Sequence, residues 1–200
     1  MKQPGTDRAQ RRRERGFNLV EVLVAMALLG VVIISIMSLF FLGRRNVYSG
    51  RQMTKAIAIG NRVLEDLQPL MKSDIYNGAF SINDTDKGSA VTILGTTYDN
   101  CKIRSTKATL IPSPPSDIQT ENAGGPGFLN KWRTQLGNEL GGDAAVTLIM
   151  QPRLDPSHAN PNEQFGTSQI LRLHVLVQWK EPSAPNRPAR SIILDSDKVF

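Results

Sequence analysis

Three patterns of apolar and polar positions follow one another along this 200-residue chain. From Phe17 to Leu42 the residues are almost continuously apolar, and Glu21 is the one formal charge. Val22–Leu42 alone gives 21 residues without a charge. That is enough to cross a hydrocarbon core as a helix, the state in which a single segment satisfies its own backbone amides in lipid. From Met53 to Met71 the pattern becomes periodic. Met53, Ile57, Gly60, Leu64, Leu67 and Met71 are spaced 4-3-4-3-4, Ala56 and Val63 widen the stripe, and Arg51, Lys55, Arg62, Glu65 and Asp66 fall elsewhere. This spacing predicts an amphipathic helix whose stripe packs on the rest of the chain. Pro69 lacks a backbone donor and disfavours helical geometry at Gln68, so the helix should end near there. One helix from about Phe17 to about Gln68 would run roughly 75 Å.

The third pattern is strict alternation. In QILRLHVLVQWK, Leu171, Leu173, Val175, Val177 and Trp179 share one face, while Arg172, His174, Gln178 and Lys180 share the other. AAVTLIM places Val146, Leu148 and Met150 together, and ARSIILDSD reads as a returning strand. Earlier, AVTIL (Ala90–Leu94) and TYDNCKIRS (Thr97–Ser105) read as strands joined by a turn at Gly95. Leu129, Trp132, Leu136 and Leu140 have helical spacing in a segment ended by Gly141-Gly142. Lys72–Ser89, Ile111–Gly127, Pro152–Gly166 and Pro182–Pro188 are rich in Asp, Asn, Ser, Gly or Pro and read as connections. Consecutive strands with short connections predict an antiparallel sheet. The expected class is α+β: a long membrane-spanning N-terminal helix whose amphipathic second half packs on a C-terminal antiparallel sheet.

Charge refines the N-terminal picture. The net charge is +6, and Met1–Gly16 carries +4 of it through Lys2, Arg8, Arg11, Arg12, Arg13 and Arg15 against Asp7 and Glu14. The far side of the apolar run opens with Arg44 and Arg45. This asymmetry holds the N-terminus on the cytoplasmic side, so the basic balance is a topology signal rather than a nucleic-acid footprint. Gly16 marks the boundary; without a Cβ it permits the close approach and extended backbone that a protease cleft needs. Glu21 lies inside the apolar run, where an ionised carboxylate costs up to ~3 kcal/mol at mid-membrane. A cut after Gly16 would expose an amine on Phe17, one helical turn before Glu21. That amine could pair with the carboxylate within the chain or across a subunit contact.

Gly16-Phe17 followed by Glu21, in GFNLVEVLVAMALLG, resembles the class III signal of type IV prepilins and type II secretion pseudopilins. The resemblance implies cleavage between Gly16 and Phe17 by a prepilin peptidase, N-methylation of Phe17, and pairing of Glu21 with a neighbouring subunit's terminal amine. Asn18 stands where threonine is usual, Ser38 where major pilins often carry proline, and Gly30 matches a common glycine. In the C-terminal half, GGDAAVTLIM, RLHVLVQWKE and RSIIL resemble the soluble domain of PilV-type minor pilins. The implied organisation is a leader at 1–16 that is removed, a transmembrane and assembly helix at 17–43, an amphipathic half at 44–70, and a periplasmic sheet domain at 71–200. The whole would have a lollipop shape. The implied partners are the prepilin peptidase, a major pilin and other minor pilins, the pilus assembly platform and the inner membrane. A secretory signal peptide would have a shorter apolar core and a small-x-small cleavage site.

Candidate chemistry elsewhere is sparse. Cys101 is the single cysteine, so no disulfide can form within the chain, and a buried, inert thiol is expected. His158 and His174 have no neighbouring ligands at metal-binding spacing, and His174 is expected on a solvated or edge-packed strand position. Asn83–Asp86 resembles part of a calcium loop but lacks the closing glutamate. Neither a cofactor nor a metal is expected, and the chain is not expected to be an enzyme. Lys102 and Arg104 would share a strand face, with Lys107 and Tyr98 nearby; phosphate contact is conceivable there, a solvated face is the expectation, and nucleic acid is not an expected partner. Three functions remain: a minor pilin of a type IV pilus, a minor pseudopilin of type II secretion, and a DNA-binding uptake pilin.

Overall fold

The computed structural model describes residues 18–80, 88–107, 127–155, 158–159, 164–181 and 188–200. The elements are α1 (Leu19–Leu67), a π-helical turn (Asp74–Ala79), β1 (Ser89–Ile93), β2 (Thr96–Ser105), α2 (Phe128–Glu139), β3 (Ala145–Asp155), β4 (His158–Ala159), β5 (Ile170–Trp179) and β6 (Arg190–Val199). The class is α+β, as expected. The chain divides into two compact units between Val47 and Tyr48. The first contains the apolar stretch of α1, in which no described residue is buried. Residues 1–17, which hold the expected leader, lie outside the described residues.

The second unit is built on an antiparallel sheet of order β1-β2-β3-β5-β6, with β4 paired to β3. β3 and β5 pair over nine positions from Ala145↔Gln178 to Arg153↔Ile170, and β5 and β6 over ten from Ile170↔Val199 to Trp179↔Arg190. The alternation of β5 came out as expected: Leu171, Leu173, Val175, Val177 and Trp179 join Val146, Leu148 and Met150 in the main core. α1 and α2 cover that front face. Leu129, Trp132 and Leu136 point inward from α2, and the helix closes at Gly141, whose φ of 97° lets its N–H reach the Leu136 carbonyl at 3.1 Å.

The inward face of α1 keeps Ala56, Gly60, Val63 and Leu67 of the expected stripe and departs from it along one edge. The buried residues are Gln52, Ala56, Ile59, Gly60, Val63 and Leu67, whereas Met53, Ile57 and Met71 are 48%, 36% and 73% exposed. The helix is turned so that its small residues meet the sheet. A Cβ on Gly60 would overlap Leu194 Cδ1 and would stand 3.5 Å from Val177 Cγ2. Bulk at Met53 and Ile57 would hold the helix away from the strands, so close packing prefers Ala56 and Gly60 inside.

Two further differences concern connections. Part of the segment read as a loop forms the π-helical turn, and Ile75, Tyr76 and Phe80 from it and its C-cap are buried. Residues 81–87, including the calcium-like Asn83–Asp86, lie outside the described residues, as do 108–126, 156–157, 160–163 and 182–187. The hairpin turn at Gly95 is present. Leu94 and Gly95 both have positive φ, 51° and 82°, the two-residue type I′ geometry that suits the twist of flanking strands.

Candidate functional site

The segment carrying the charge-and-glycine signal enters the structure at Asn18. Its carbonyl accepts the N–H groups of Glu21 at 2.8 Å and Val22 at 3.3 Å, and its side-chain oxygen lies 3.5 Å from the Val20 N–H. Asn18 therefore occupies the N-cap of α1, a position suited to a short polar side chain. Glu21 is then the third residue of the helix, in the first turn, and it is exposed. A carboxylate there faces the positive end of the helix dipole and the helix's unpaired N–H groups. Gly16 and Phe17 lie outside the described residues. On both sides of it, large apolar side chains from Leu19 to Leu42 are exposed, with Leu39 at 69% and Phe41 at 65%. This helix is long and apolar enough to cross a membrane.

The polar residues of the sheet domain fall into structural roles. Arg104 is 3% exposed, and its Nε and Nη2 donate to the Phe80 carbonyl at 3.1 and 2.7 Å. The strand face that Lys102 and Arg104 were expected to offer to solvent or phosphate is thus turned inward at Arg104, because the guanidinium is needed by a buried carbonyl. Lys107 pairs with Asp143 at 3.4 Å. Asp66 of α1 accepts from Lys131 Nζ at 2.6 Å and Trp132 Nε1 at 3.0 Å, docking α2 on α1. Lys198, buried, donates to the Gln68 carbonyl at 2.6 Å just past the end of α1, and burial pushes its pKa down. Among the described residues no group of three His, Cys, Asp or Glu side chains could hold a metal ion.

The back face of the sheet holds what the sequence reading missed. Val91, Ile93, Tyr98, Cys101, Ile103, Ile149 and Leu176 form a second apolar cluster. β2 bends to build it: residues 96–98 and, after a register shift, Cys101 pair with β1, residues 102–105 pair with β3, and Asn100 at the shift has φ of 50°. His174, expected to be solvated or edge-packed, is 6% exposed beneath this hairpin. Its ring centroid is 4.8 Å from that of Tyr98, Nδ1 is 2.7 Å from Asp195 Oδ1, and Nε2 is 2.9 Å from Gln151 Oε1. Gln151 Nε2 donates in turn to the Asp99 carbonyl at 2.8 Å. Burial pushes the His174 pKa down; its hydrogen bond to Asp195 and that carboxylate's charge pull it back, and Arg172 and Arg153 oppose protonation. Beside it Arg172 makes a bidentate pair with Asp197 at 2.6 and 2.7 Å, which holds the Asp197 carboxyl below its ordinary range. The available signal was the match of R-x-H in β5 to D-x-D in β6: register opposes Arg172 to Asp197 and His174 to Asp195.

No curated protein and no solved structure matches the chain. Residues 11–38 do match the family model of the prokaryotic N-terminal methylation motif. That stretch contains Gly16, Phe17, the Asn18 cap, Glu21 and Gly30, and it runs into the exposed apolar part of α1. The chain thus carries at its N-terminus the mark of a type IV pilin-like or pseudopilin-like precursor.

Proposed function

We propose that this protein is a minor pilin, a structural subunit that primes or enters a type IV pilus. The observation that carries the reading is the methylation motif at 11–38, continuous with an exposed apolar helix and followed by an α+β unit. In this reading a prepilin peptidase removes the leader 1–16 between Gly16 and Phe17 on the cytoplasmic face and N-methylates Phe17. Residues 17–43 cross the inner membrane, 44–70 form the amphipathic half, and the domain 71–200 lies in the periplasm until the subunit enters a surface filament. Glu21 meets the terminal amine of a neighbouring subunit; leaving one buried member of such a pair alone can cost several kcal/mol, which favours one docking register. Its partners are then the peptidase, the major pilin, other minor pilins and the assembly platform, and its work is assembly rather than catalysis. A minor pseudopilin of type II secretion would share the N-terminal signal and the two-part architecture. The burial of Arg104 removes a main support for a DNA-binding uptake pilin.

Mass spectrometry of protein extracted from membranes of cells with an active prepilin peptidase tests the reading. The expected product begins at N-methylated Phe17, and replacing Gly16 with a bulky residue should leave the leader attached. Recovery of wild-type protein with an intact Met1 terminus would overturn it. In the same cells, Glu21→Ala should spare insertion and cleavage but lower the ratio of pilus-bound to membrane-bound subunit. An unchanged ratio would remove Glu21 from assembly.

A further inference from the structure

Strand register gathers positive charge at one end of the second unit. Trp179 pairs with Arg190, Gln178 with Ala145 and Ser105 with Thr147, so the ends of β2 and β5 lie beside the starts of β3 and β6. α1 enters the unit at that same end, where Ser49 Oγ accepts from Arg190 at 2.6 Å. Arg51 is on α1 within one turn of Ser49, Lys180 follows β5, and Lys107 follows β2. Arg133 of α2 joins them by donating to the Thr106 carbonyl at 3.2 Å. Arg51, Arg133, Lys180 and Arg190 are exposed, and the Lys107 side chain is 38% exposed. The nearby carboxylates are already matched: Glu181 is buried against Arg190, Asp143 pairs with Lys107, and Glu139 pairs with Arg62. Positive charge is left in excess among the described residues. Lys107 and Arg133 also line a depression of about 460 Å³ with Gly137, Gly141 and Gly142. A Cβ on any of these three glycines would meet nothing within 4 Å, so the space over their backbone is open.

We propose that this end of the unit binds the headgroups of anionic phospholipids, with one headgroup phosphate seated between Lys107 and Arg133. The proposal rests on the reading that residues 17–43 cross the membrane. The apolar run ends at Leu42, six residues before Tyr48. Those residues span about 9 Å as helix and at most about 22 Å if extended, so the cationic end stays near the headgroups however the unit turns. Arg44 and Arg45 lie in that connection and add charge of the same sign. Each lysine or arginine close to an anionic leaflet strengthens its attraction by about fivefold, and the effect fades beyond a Debye length of about 8 Å. The carbonyls at the end of α2 would repel a phosphate, but they are engaged elsewhere. That of Leu136 accepts the N–H groups of Leu140 and Gly141, that of Glu139 accepts Lys55 Nζ, and that of Gly142 accepts Lys107 Nζ. Nucleic acid would meet the same cations without the tether that holds them at a bilayer, which favours lipid as the occupant.

The experiment uses the full chain in non-ionic detergent micelles and follows the amide NMR signals of Gly137, Gly141, Gly142 and Lys180 as phosphatidylglycerol is added. The expected result is a saturable shift of these signals. Phosphatidylcholine should leave them in place, and inorganic phosphate at the same concentration should move them far less. Lys107→Gln and Lys180→Gln should each raise the half-saturating amount of phosphatidylglycerol about fivefold. Asp143→Asn removes a carboxylate that is 71% exposed and should lower that amount, a change that a folding defect does not produce. An equal response to phosphatidylcholine or to inorganic phosphate, or an unmoved titration in both lysine variants, would overturn the proposal. So would a DNA duplex that shifts the same signals at a lower concentration of phosphate groups than the lipid requires. Carbonate extraction of membranes from expressing cells tests the underlying reading separately. A chain that resists extraction but ignores phosphatidylglycerol overturns this proposal alone, whereas a chain that is extracted overturns the membrane-spanning reading and this proposal with it.

Discussion

Residues Leu19–Val47 of α1 bury nothing among the described residues, although nearly all of them up to Leu42 are apolar. From Gln52 to Leu67 the same helix alternates apolar with charged residues and buries Gln52, Ala56, Ile59, Gly60, Val63 and Leu67. Composition would rank the first half as the better core helix, and burial ranks it the reverse. A helix apolar all round has no preferred face for a sheet and suits a surrounding apolar phase, whereas an amphipathic helix has one face to commit. The difference makes substitutions at similar residues behave oppositely. Both tryptophans, Trp132 and Trp179, are buried in the second unit, so intrinsic fluorescence reports the melting of that unit alone.

The largest expected effect is at Val63, which is fully buried. Val63→Asp places a carboxylate in an apolar core with no partner and should cost more than ~3 kcal/mol, enough to lose the cooperative fluorescence transition. Ile57→Asp, one helical position off the buried face and 36% exposed, should shift stability by less than about 1 kcal/mol. Val31→Asp should leave the fluorescence melt unchanged and lower the yield of membrane-inserted protein, since Val31 is exposed at 63% and lies in the apolar stretch. If Ile57→Asp proved as damaging as Val63→Asp, α1 would have to meet the sheet through a different face.

Val63 and Ile57 also show which parts of the fold were legible from sequence. Alternation in β5 was readable because a strand has two faces and Leu171–Trp179 fill one of them without exception. The helix face was read correctly at Ala56, Gly60, Val63 and Leu67 and wrongly at its edge, because a stripe extended through large apolar residues takes in Met53 and Ile57 where the sheet takes Gln52 and Ile59. The second core stayed hidden because Leu176 and Ile193 share their strand faces with Arg172, His174, Asp195 and Asp197, which look like a solvated face until paired across strands. Glu21 was legible as a charge in an apolar run, and its place in the first turn of α1 follows from the Asn18 cap. Gly16 and Phe17 remain readings of sequence and motif.

The next effect concerns how α2 is tied to the buried half of α1. Asp66 is 17% exposed and accepts from both Lys131 and Trp132. Asp66→Ala leaves the Trp132 indole N–H without its acceptor and should cost about 1–3 kcal/mol. Asp66→Asn keeps an acceptor for the indole but not the charge, and should fall between Asp66→Ala and wild type by denaturant melting. Equal losses in the two variants would mean that the ion pair rather than the indole bond matters.

Acid should also separate the two halves, since His174 and Asp197, both with lowered pKa, belong to the second unit. His174 is held low chiefly by burial, so its contribution is complete above the ordinary imidazole pKa near 6.5 and is lost as pH falls toward its folded value. Asp197 is held low by its hydrogen bond from Arg172; its contribution is present above the ordinary carboxylate pKa of about 3.9 and is lost as pH falls through its lower folded value. Stability measured by tryptophan fluorescence should therefore fall in two steps on acidification. His174→Gln should remove the upper step and Asp197→Asn the lower one. The helical circular dichroism of Leu19–Val47 in micelles should not follow either step.

The smallest effect is the finest test of the comparison, because it uses one substitution in both halves. A Cβ added at Gly30 meets nothing within 4 Å, whereas one added at Gly60 overlaps Leu194 Cδ1. Replacing glycine by alanine inside a helix gains up to about 1 kcal/mol of propensity at either site. At Gly60 that gain is opposed by the need to move the end of Leu194, a flexible and partly buried side chain, so Gly60→Ala should change stability by less than ~1 kcal/mol in either direction. Gly60→Leu has no such escape: its extra atoms reach the sheet at Val177 and should cost about 1–3 kcal/mol by overpacking. Gly30→Ala and Gly30→Leu should both leave the fluorescence melt where it is. A melt that dropped for Gly30→Leu would mean that the first half of α1 supports the fold of the second unit. A melt that ignored Gly60→Leu would mean that α1 does not approach β5 and β6 closely enough to need a glycine.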